Sequence, residues 1–218
     1  ILNGLNSFGY LLTKICHKRN ISCIFWENGL YEGTLFINSY GVNAYGKRNI
    51  SFFNKDNNRK RKVDGFISEF ITSERKYILC PLQFEIDTNI VCASQFNDCN
   101  QFLKKIIFPL SLILKDHNFL IRPHPKQKKV NKDVKSFIEN NKNLELDNSI
   151  NVENSLCKCD IVICINSTVG FTAFSNGLPV ISFGRSFWND LNSRYILDIS
   201  KKNFEFFYND LKLIESNH

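Results

Sequence analysis

No stretch of this sequence is long and apolar enough to cross a bilayer. The longest uncharged apolar run, Ile106 to Leu114, is nine residues and carries Pro109, whereas a spanning helix needs roughly 20. C-x-x-C pairs are also missing. The eight cysteines stand at 16, 23, 80, 92, 99, 157, 159 and 164. The tightest group, Cys157-x-Cys159 with Cys164 beyond it, lacks the second pair or following His of a structural zinc site, so no metal is expected. These thiols mostly stand among apolar residues and read as buried, which points to a reducing cytoplasm. There are no internal repeats and no nucleic-acid-binding motif. The basic run Arg59 to Lys62 has no interleaved aromatics on which bases could stack, and it reads as a solvated linker. The first residue is Ile rather than Met, and Ile1-Leu2-Asn3-Gly4 reads as the end of a strand, so the chain is expected to begin inside a larger protein.

What is present suits a folded core. Of 218 residues, 43% are hydrophobic and 13% aromatic, which is too apolar for a disordered chain and enough for one large domain or two small ones. Lys and Arg number 28 against 21 Asp and Glu, a balance of +7, which favours anionic partners.

Apolar periodicity alternates between strand and helix along the chain, the pattern of a parallel sheet covered on both faces. Leu5 to Lys18 predicts a helix, and Ile21 to Trp26 a buried strand that empties into Glu27-Asn28-Gly29. A glycine-rich loop from Gly29 to Gly46 follows, then a polar stretch, with a domain boundary between about residues 55 and 75. The second unit is more regular. Strands are expected at Lys76–Cys80, Phe119–Arg122, Leu144–Leu146, Asp160–Ile165 and Pro179–Phe183. Helices are expected at Asp98–Lys115, kinked at Pro109, at Asn131–Asn141, at Val152–Cys157, from about Thr168 to Asn176-Gly177, and at Phe204–Ile214.

Ligands of open α/β sheets sit beyond the carboxyl ends of strands, so the residues just after strands are the ones to inspect. At Asn166-Ser167-Thr168-Val169-Gly170 a strand turns into a helix, and free N–H groups with two hydroxyls meet the helix dipole. Either this is a phosphate site or Ser167 or Thr168 is simply an N-cap. His124 is held between Pro123 and Pro125 and flanked by Arg122 and Lys126. It suits contact with, or protonation of, a leaving phosphate, but a solvent-exposed basic turn is the other reading. Pro81-Leu82-Gln83 with Asp87 forms a third exit. Glu27 forms the fourth, a carboxylate ahead of a Gly-containing turn, able to reach a cleft.

In combination, Ile1-Leu2-Asn3-Gly4, Trp26-Glu27-Asn28-Gly29-Leu30, Tyr40-Gly41-Val42-Asn43-Ala44, Cys80-Pro81-Leu82-Gln83 with Asp87-Thr88-Asn89, Arg122 to Lys126, Ile165 to Gly170, Gly177-Leu178-Pro179-Val180 and Gly184 resemble the bacterial capsular polysaccharide biosynthesis and export family, which includes β-Kdo glycosyltransferases. The resemblance runs from about residue 1 to 190. It implies an α/β, GT-B-like architecture of two Rossmann-like lobes, the first incomplete in this chain, with residues 1–65 ending the acceptor-side lobe and residues 76–218 forming the nucleotide-sugar lobe.

The resemblance also implies a glycosyltransferase that moves a sugar acid from a CMP-activated donor to a glycolipid or glycan acceptor, without a cofactor. Glu27 matches the acidic catalytic position and His124 the His that contacts the CMP phosphate. Ser167 and Thr168 match the phosphate-binding hydroxyls, with Arg122, Lys126 and Asn166 beside them. Asn3, Asn28, Gly29, Asn43, Gln83 and Asp87 form the substrate loops. Asn28 stands where many relatives have a second acidic residue, and Glu32-Gly33 where one branch has Arg-Pro. Glu27 could serve as general base or, in a retaining reaction, as nucleophile. A cytoplasmic enzyme, peripheral on the inner membrane and in contact with capsule assembly proteins, is the implied setting. A glycerophosphotransferase, a sugar-nucleotide epimerase or a non-catalytic export or scaffold component are the other readings.

Overall fold

The computed structural model describes residues 1, 3–29, 33–46, 77–84, 87–127, 131–189 and 196–198. The expected domain boundary, the Arg59–Lys62 run, Glu32 and the expected helix at 204–214 lie outside these.

The second unit is a six-stranded sheet built from β3 (Tyr77–Pro81), β4 (Asn118–Arg122), β5 (Leu144–Leu146), β6 (Ile161–Cys164), β7 (Val180–Ser182) and β8 (Ile196–Asp198), in the order β5-β4-β3-β6-β7-β8. Every pairing in it is parallel. Alternate side chains of the strands enter two cores. Ile78, Cys80, Phe119, Ile121, Ile161 and Ile163 pack on one face. Leu79, Leu120, Val162, Cys164 and Val180 pack on the other. Burial on both faces is why these strands read as continuous apolar runs.

Helices cover both faces. The first core takes a rod made of α3 (Cys99–Phe102), a π-helical turn (Leu103–Ile107) and α4 (Phe108–Ile113), together with α5 (Lys132–Glu139). The second takes α6 (Val152–Leu156) and α7 (Thr168–Ser175). Next to Pro109, where a kink was expected, the rod carries that π turn, whose Phe108 N–H reaches back to the Leu103 carbonyl. The wider turn ends just where Pro109 has no N–H to give. Asn176-Gly177 closes α7 as the sequence predicts. Gly177 takes φ +79°, and the N–H groups of Gly177 and Leu178 donate to Phe174 and Ala173 carbonyls at 3.0 Å each, a Schellman closure.

The strand order reverses between β3 and β6. From β3 the chain steps outward to β4 and β5, and from β6 it steps the other way to β7 and β8. The two sets of crossovers therefore leave an uncovered crevice at the carboxyl ends of β3 and β6.

The first unit departs from expectation. The strand is not the buried Ile21–Trp26 segment but β1 (Phe25–Asn28), so Glu27 and Asn28 lie within it rather than after it. It pairs antiparallel with β2 (Leu35–Asn38), which occupies part of the expected glycine loop. Only Phe25 of β1 is buried, while Ile21, Ile24 and Trp26 are exposed. A two-stranded ribbon offers one face to its neighbour, and the other stays in solvent. Helix α1 (Ser7–Lys18) is capped by the Asn6 side chain, which accepts from the Gly9 N–H at 2.7 Å. A short helix not expected from the sequence, α2 (Thr88–Ala93), follows β3 with Asp87 as its cap.

All eight cysteines are free thiols. Cys80, Cys99, Cys159 and Cys164 are buried as expected, but Cys16, Cys23 and Cys92 are half-buried and Cys157 is exposed. Burial pushes Cys159 and Cys164 up to about 12, so these thiols stay protonated.

Gly170 marks the tightest packing of α7 on the sheet. A Cβ there would lie 2.9 Å from Cys164 Sγ and 2.9 Å from the Trp188 ring. Gly170→Ala is expected to lower stability by about 1–3 kcal/mol through overpacking, measured by urea denaturation. An unchanged midpoint would show that α7 can lift from β6 at no cost.

Candidate functional site

The crevice at the switch point opens into a cavity of about 450 Å³. From the first unit it is lined by Asn3, Asn6, Glu27, Asn28, Gly29, Phe36 and Asn43; from the second by Thr88, Asn89, Thr168 and Phe187. Of the residues singled out from the sequence, Asn3, Glu27, Asn28, Gly29, Asn43 and Thr168 thus converge on one space.

Glu27 is half-buried. Its Oε2 accepts from Asn3 Nδ2 at 3.1 Å. Asn3 is itself held in the left-handed region at φ 61°, with its Oδ1 accepting from the Leu5 N–H. Burial, and then the nearby Asp87 charge, raise the Glu27 carboxyl above its ordinary range, while the Asn3 hydrogen bond pulls the other way. A carboxylate raised in this way is a better proton acceptor near neutral pH.

Thr168 is exposed at the first turn of α7. Its neighbour Ser167 is the N-cap, with Oγ accepting from the Val169 N–H at 3.2 Å. Ser167 Oγ thus caps its own helix, and of the two hydroxyl residues Thr168 is the one that lines the cavity.

Behind the cavity wall lie the two buried amides Gln83 and Asn166. Gln83 Oε1 accepts from the Asn166 N–H at 3.3 Å and Gln83 Nε2 donates to Asp87 Oδ2 at 2.8 Å. Asn166 Nδ2 donates to the Asn89 and Arg185 carbonyls at 2.9 and 3.1 Å. Asn166 thus spends its donors on the fold rather than on an incoming phosphate, which corrects its expected role.

Arg122 is the second correction. Its guanidinium is turned inward, where Nη1 donates to Asp147 Oδ2 at 2.9 Å, to the Ser149 carbonyl at 3.0 Å and to Ser155 Oγ at 2.7 Å. Ser155 in turn donates to Asp147. Burial would raise Asp147, but the hydrogen bonds of Ser149, Ser155 and Arg122 outweigh it and bring it down to about 2. Arg122 ties β4 to the loop after β5, away from the cavity.

His124 stands at the exit of β4, beyond β3 from Thr168, and does not line the cavity. Its ring meets Phe84 edge-on at 6.0 Å, and its Nδ1 accepts from the Lys126 N–H at 3.1 Å. The neutral ring therefore carries its proton on Nε2. Burial and the Lys126 charge lower its pKa, while Asp87 raises it. The side chain of Lys126 is exposed. Asp87 is thus near enough to bias both Glu27 on one side and His124 on the other.

Thr88, Asn89, Phe36 and Phe187 were not singled out as site residues. Asn89 is two residues past a capping Asp, a signal that would have placed it on the first turn of a helix facing the crevice. The phenylalanines carry no signal that distinguishes them from core residues.

The sequence profile of the family described as "Capsule polysaccharide biosynthesis protein" matches residues 40–191. The chain belongs to the capsule polysaccharide biosynthesis family. Two solved structures similar to it are of KpsC from Thermosulfurimonas dismutans. The β-Kdo 2,7 transferase is 16% identical with a TM-score of 0.55, covering 84% of this chain and 66% of that one. The β-Kdo 2,4 transferase is 14% identical with a TM-score of 0.59, covering 97% and 76%. At this identity the likeness carries the fold, which is α/β and GT-B-like. The chain spans just under two thirds of the first of these structures. No curated protein matches by sequence. Among the described residues, no helix of this family member is long and apolar enough to cross a membrane.

The Arg122–Asp147 pair yields a test of its structural role. Asp147 has an ordinary value of 3.8 and sits at about 2 in the folded chain, so its contribution is complete above about pH 4 and is lost as the pH falls toward 2. The shift corresponds to about 2 kcal/mol. Asp147→Ala leaves the Arg122 charge buried and unpaired and is expected to cost about 3–5 kcal/mol. Urea melts between pH 3 and pH 7 measure both effects. A loss under 1 kcal/mol at pH 7 would mean that Arg122 is free to swing out.

Proposed function

We propose that this chain is the catalytic part of a glycosyltransferase of capsule or related surface polysaccharide synthesis, which transfers a sugar acid from a CMP-activated donor to a glycolipid or glycan acceptor. The observation that carries this reading is the shared cavity, lined both by a carboxylate raised by burial, Glu27, and by Thr168 at the start of α7. Family membership and the GT-B-like fold support it. Residues 1–65 and 76–218 are then the acceptor-side and nucleotide-side lobes.

In this mechanism the acceptor hydroxyl oxygen attacks the anomeric carbon, its proton passes to Glu27, and the bond from that carbon to the CMP phosphate oxygen breaks. CMP leaves with growing negative charge. Thr168 and the positive end of α7 stabilise that charge in the cavity, and His124 and Lys126 act on it from the exit of β4, beyond the cavity wall. Each charge-assisted contact is worth about 1.5–3 kcal/mol. Asp87 serves as the tuning group between them. Its charge keeps Glu27 basic and His124 more readily protonated. The +7 balance suits an anionic donor and peripheral attachment to an anionic inner-membrane surface.

A screen of CMP-, UDP- and CDP-activated donors tests the reaction, with transfer expected from the CMP donor alone. Glu27→Gln is expected to lower kcat by about 10²–10⁴-fold with CMP affinity kept, and His124→Ala to weaken CMP binding with the fold intact. The acidic limb of kcat/KM should lie above the ordinary glutamate value of 4.5, and Asp87→Asn should move it down, since an Asn still caps α2. Transfer from UDP or CDP donors, or full activity in Glu27→Gln, would sink this reading.

A further inference from the structure

Backbone pairing at the start of the chain sets Asn3 beside Glu27. The Trp26 N–H donates to the Ile1 carbonyl at 3.1 Å, and the Asn3 N–H donates to the Trp26 carbonyl at 2.9 Å, the slanted pattern of a parallel ladder. It ends level with the residue before Glu27. There the chain turns toward α1 through two left-handed residues, Asn3 at φ 61° and Gly4 at φ 72°. A Cβ on Gly4 would lie 2.7 Å from the Phe25 ring, so the turn is held by backbone pairing and by a buried ring packed against it.

This turn also fixes which way the Asn3 amide points. Its Oδ1 accepts from the Leu5 N–H at 3.0 Å. A backbone N–H can only donate, so the amide oxygen takes that side and Nδ2 the other. Nδ2 donates to Glu27 Oε2 at 3.1 Å, and both residues are half-buried. Among the described residues nothing donates to Oε1.

A donor fixed on one oxygen does two things to a carboxylate. It limits rotation of the carboxyl group, so the unbonded oxygen keeps one direction. It also favours the charged form. The second effect matters because the other influences on Glu27 push the opposite way. The cavity side chains from β2, α2 and α7 are neutral, and Glu27 alone of the lining residues is ionisable. Burial raises its carboxyl and Asp87, the cap of α2, raises it further, while Asn3 pulls it back. A base must be ionised to accept a proton, and this pull keeps a raised carboxylate in that form.

We propose that Asn3 is the positioning residue of this site: its amide clamps Oε2 of Glu27, and Oε1 is the oxygen that takes the proton of the acceptor hydroxyl as that hydroxyl's oxygen bonds to the sugar and CMP leaves. The proposal rests on the transfer reading for the source of the proton, while the clamp is a property of the free chain.

The test follows the Glu27 carboxyl of the full chain by carbon NMR across pH, its signal identified by its loss in Glu27→Gln, beside transfer assays with the CMP donor. Asn3→Asp keeps an oxygen for the Leu5 N–H and suits the left-handed backbone, but it replaces the donor on Glu27 by a like charge. Asn3→Gly suits the same backbone and removes the side chain. The expected result is a higher Glu27 midpoint in both variants, with kcat at neutral pH lowered about ten- to hundred-fold and CMP affinity unchanged. A role in the turn alone predicts a normal Asn3→Asp, so a Glu27 midpoint that stays put in the folded variants overturns the proposal. A raised midpoint with transfer undiminished does so too. In the unmodified chain the Asn3 Nδ2–H signals should titrate with the Glu27 midpoint, and amide signals that ignore it overturn the clamp whether or not the variants fold. No transfer from any donor, or full activity in Glu27→Gln, would sink the transfer reading and the assignment of Oε1, with the clamp still decided by the midpoints.

Discussion

Two buried amides hold the place on which the site depends. Gln83 and Asn166 join the exits of β3 and β6, the two strands between which the sheet reverses its winding, and through Asp87, Asn89 and Arg185 they also fix the start of α2 and the exit of β7. A parallel sheet leaves a gap at such a reversal because neighbouring crossovers go to opposite faces. A gap alone does not make a site. Four chain segments must keep fixed positions at its rim, and short amide bridges in a water-poor region achieve this without placing charge there. Backbone atoms at strand ends have lost their sheet partners, and the amides supply substitutes at the cost of burying polar groups, the Asn166 Oδ1 among them without a partner of its own.

The charges follow from that frame. Asp87 is both the cap of α2 and the recipient of the Gln83 bridge, so its position is set by the fold. From there it acts on Glu27 and His124, two groups contributed by different units of the chain. One structural carboxylate thereby couples the proton affinities of a candidate base and a candidate phosphate ligand. Arg122 shows the opposite arrangement. A guanidinium at a strand exit has the chemistry for phosphate, but Asp147, Ser149 and Ser155 satisfy it inside the sheet edge, and a charge paired that well has little reason to leave.

These contrasts explain what the sequence disclosed. The parallel sheet was legible because its strands are buried on both faces, and Leu144–Leu146 coincides with its predicted bounds. Thr168 was legible because strand exits are few, whereas Glu27 lies inside β1 rather than after it and Asn43 was marked by the family resemblance; all three line the cavity. The first unit was less so. Ile21 to Trp26 is as apolar as any core strand, yet pairing with Leu35–Asn38 sets the register four residues later and leaves Ile24 and Trp26 exposed. Pairing across a hairpin is a contact between segments, and apolar run length does not encode it. The role of Arg122 was hidden for the same reason, since its partner lies 25 residues onward. An Asn that bridges backbone, such as Asn166, and one that lines the cavity, such as Asn43, look alike until the neighbours are known.

That likeness has a physical basis in the amide itself. An Asn side chain carries donors and an acceptor without net charge, so the same residue type can brace a strand exit and line the neighbouring cavity without disturbing the carboxylates between. A lysine or arginine in the place of Asn43 would pair with Glu27 and lower its proton affinity, and a further acid would raise it and repel the departing phosphate. Neutral amides keep recognition separate from proton transfer. Under the proposed transfer, in which one carboxylate stays basic and an anion leaves, this separation would account for a wall of Asn3, Asn6, Asn28, Asn43 and Asn89 around a single lining acid, Glu27.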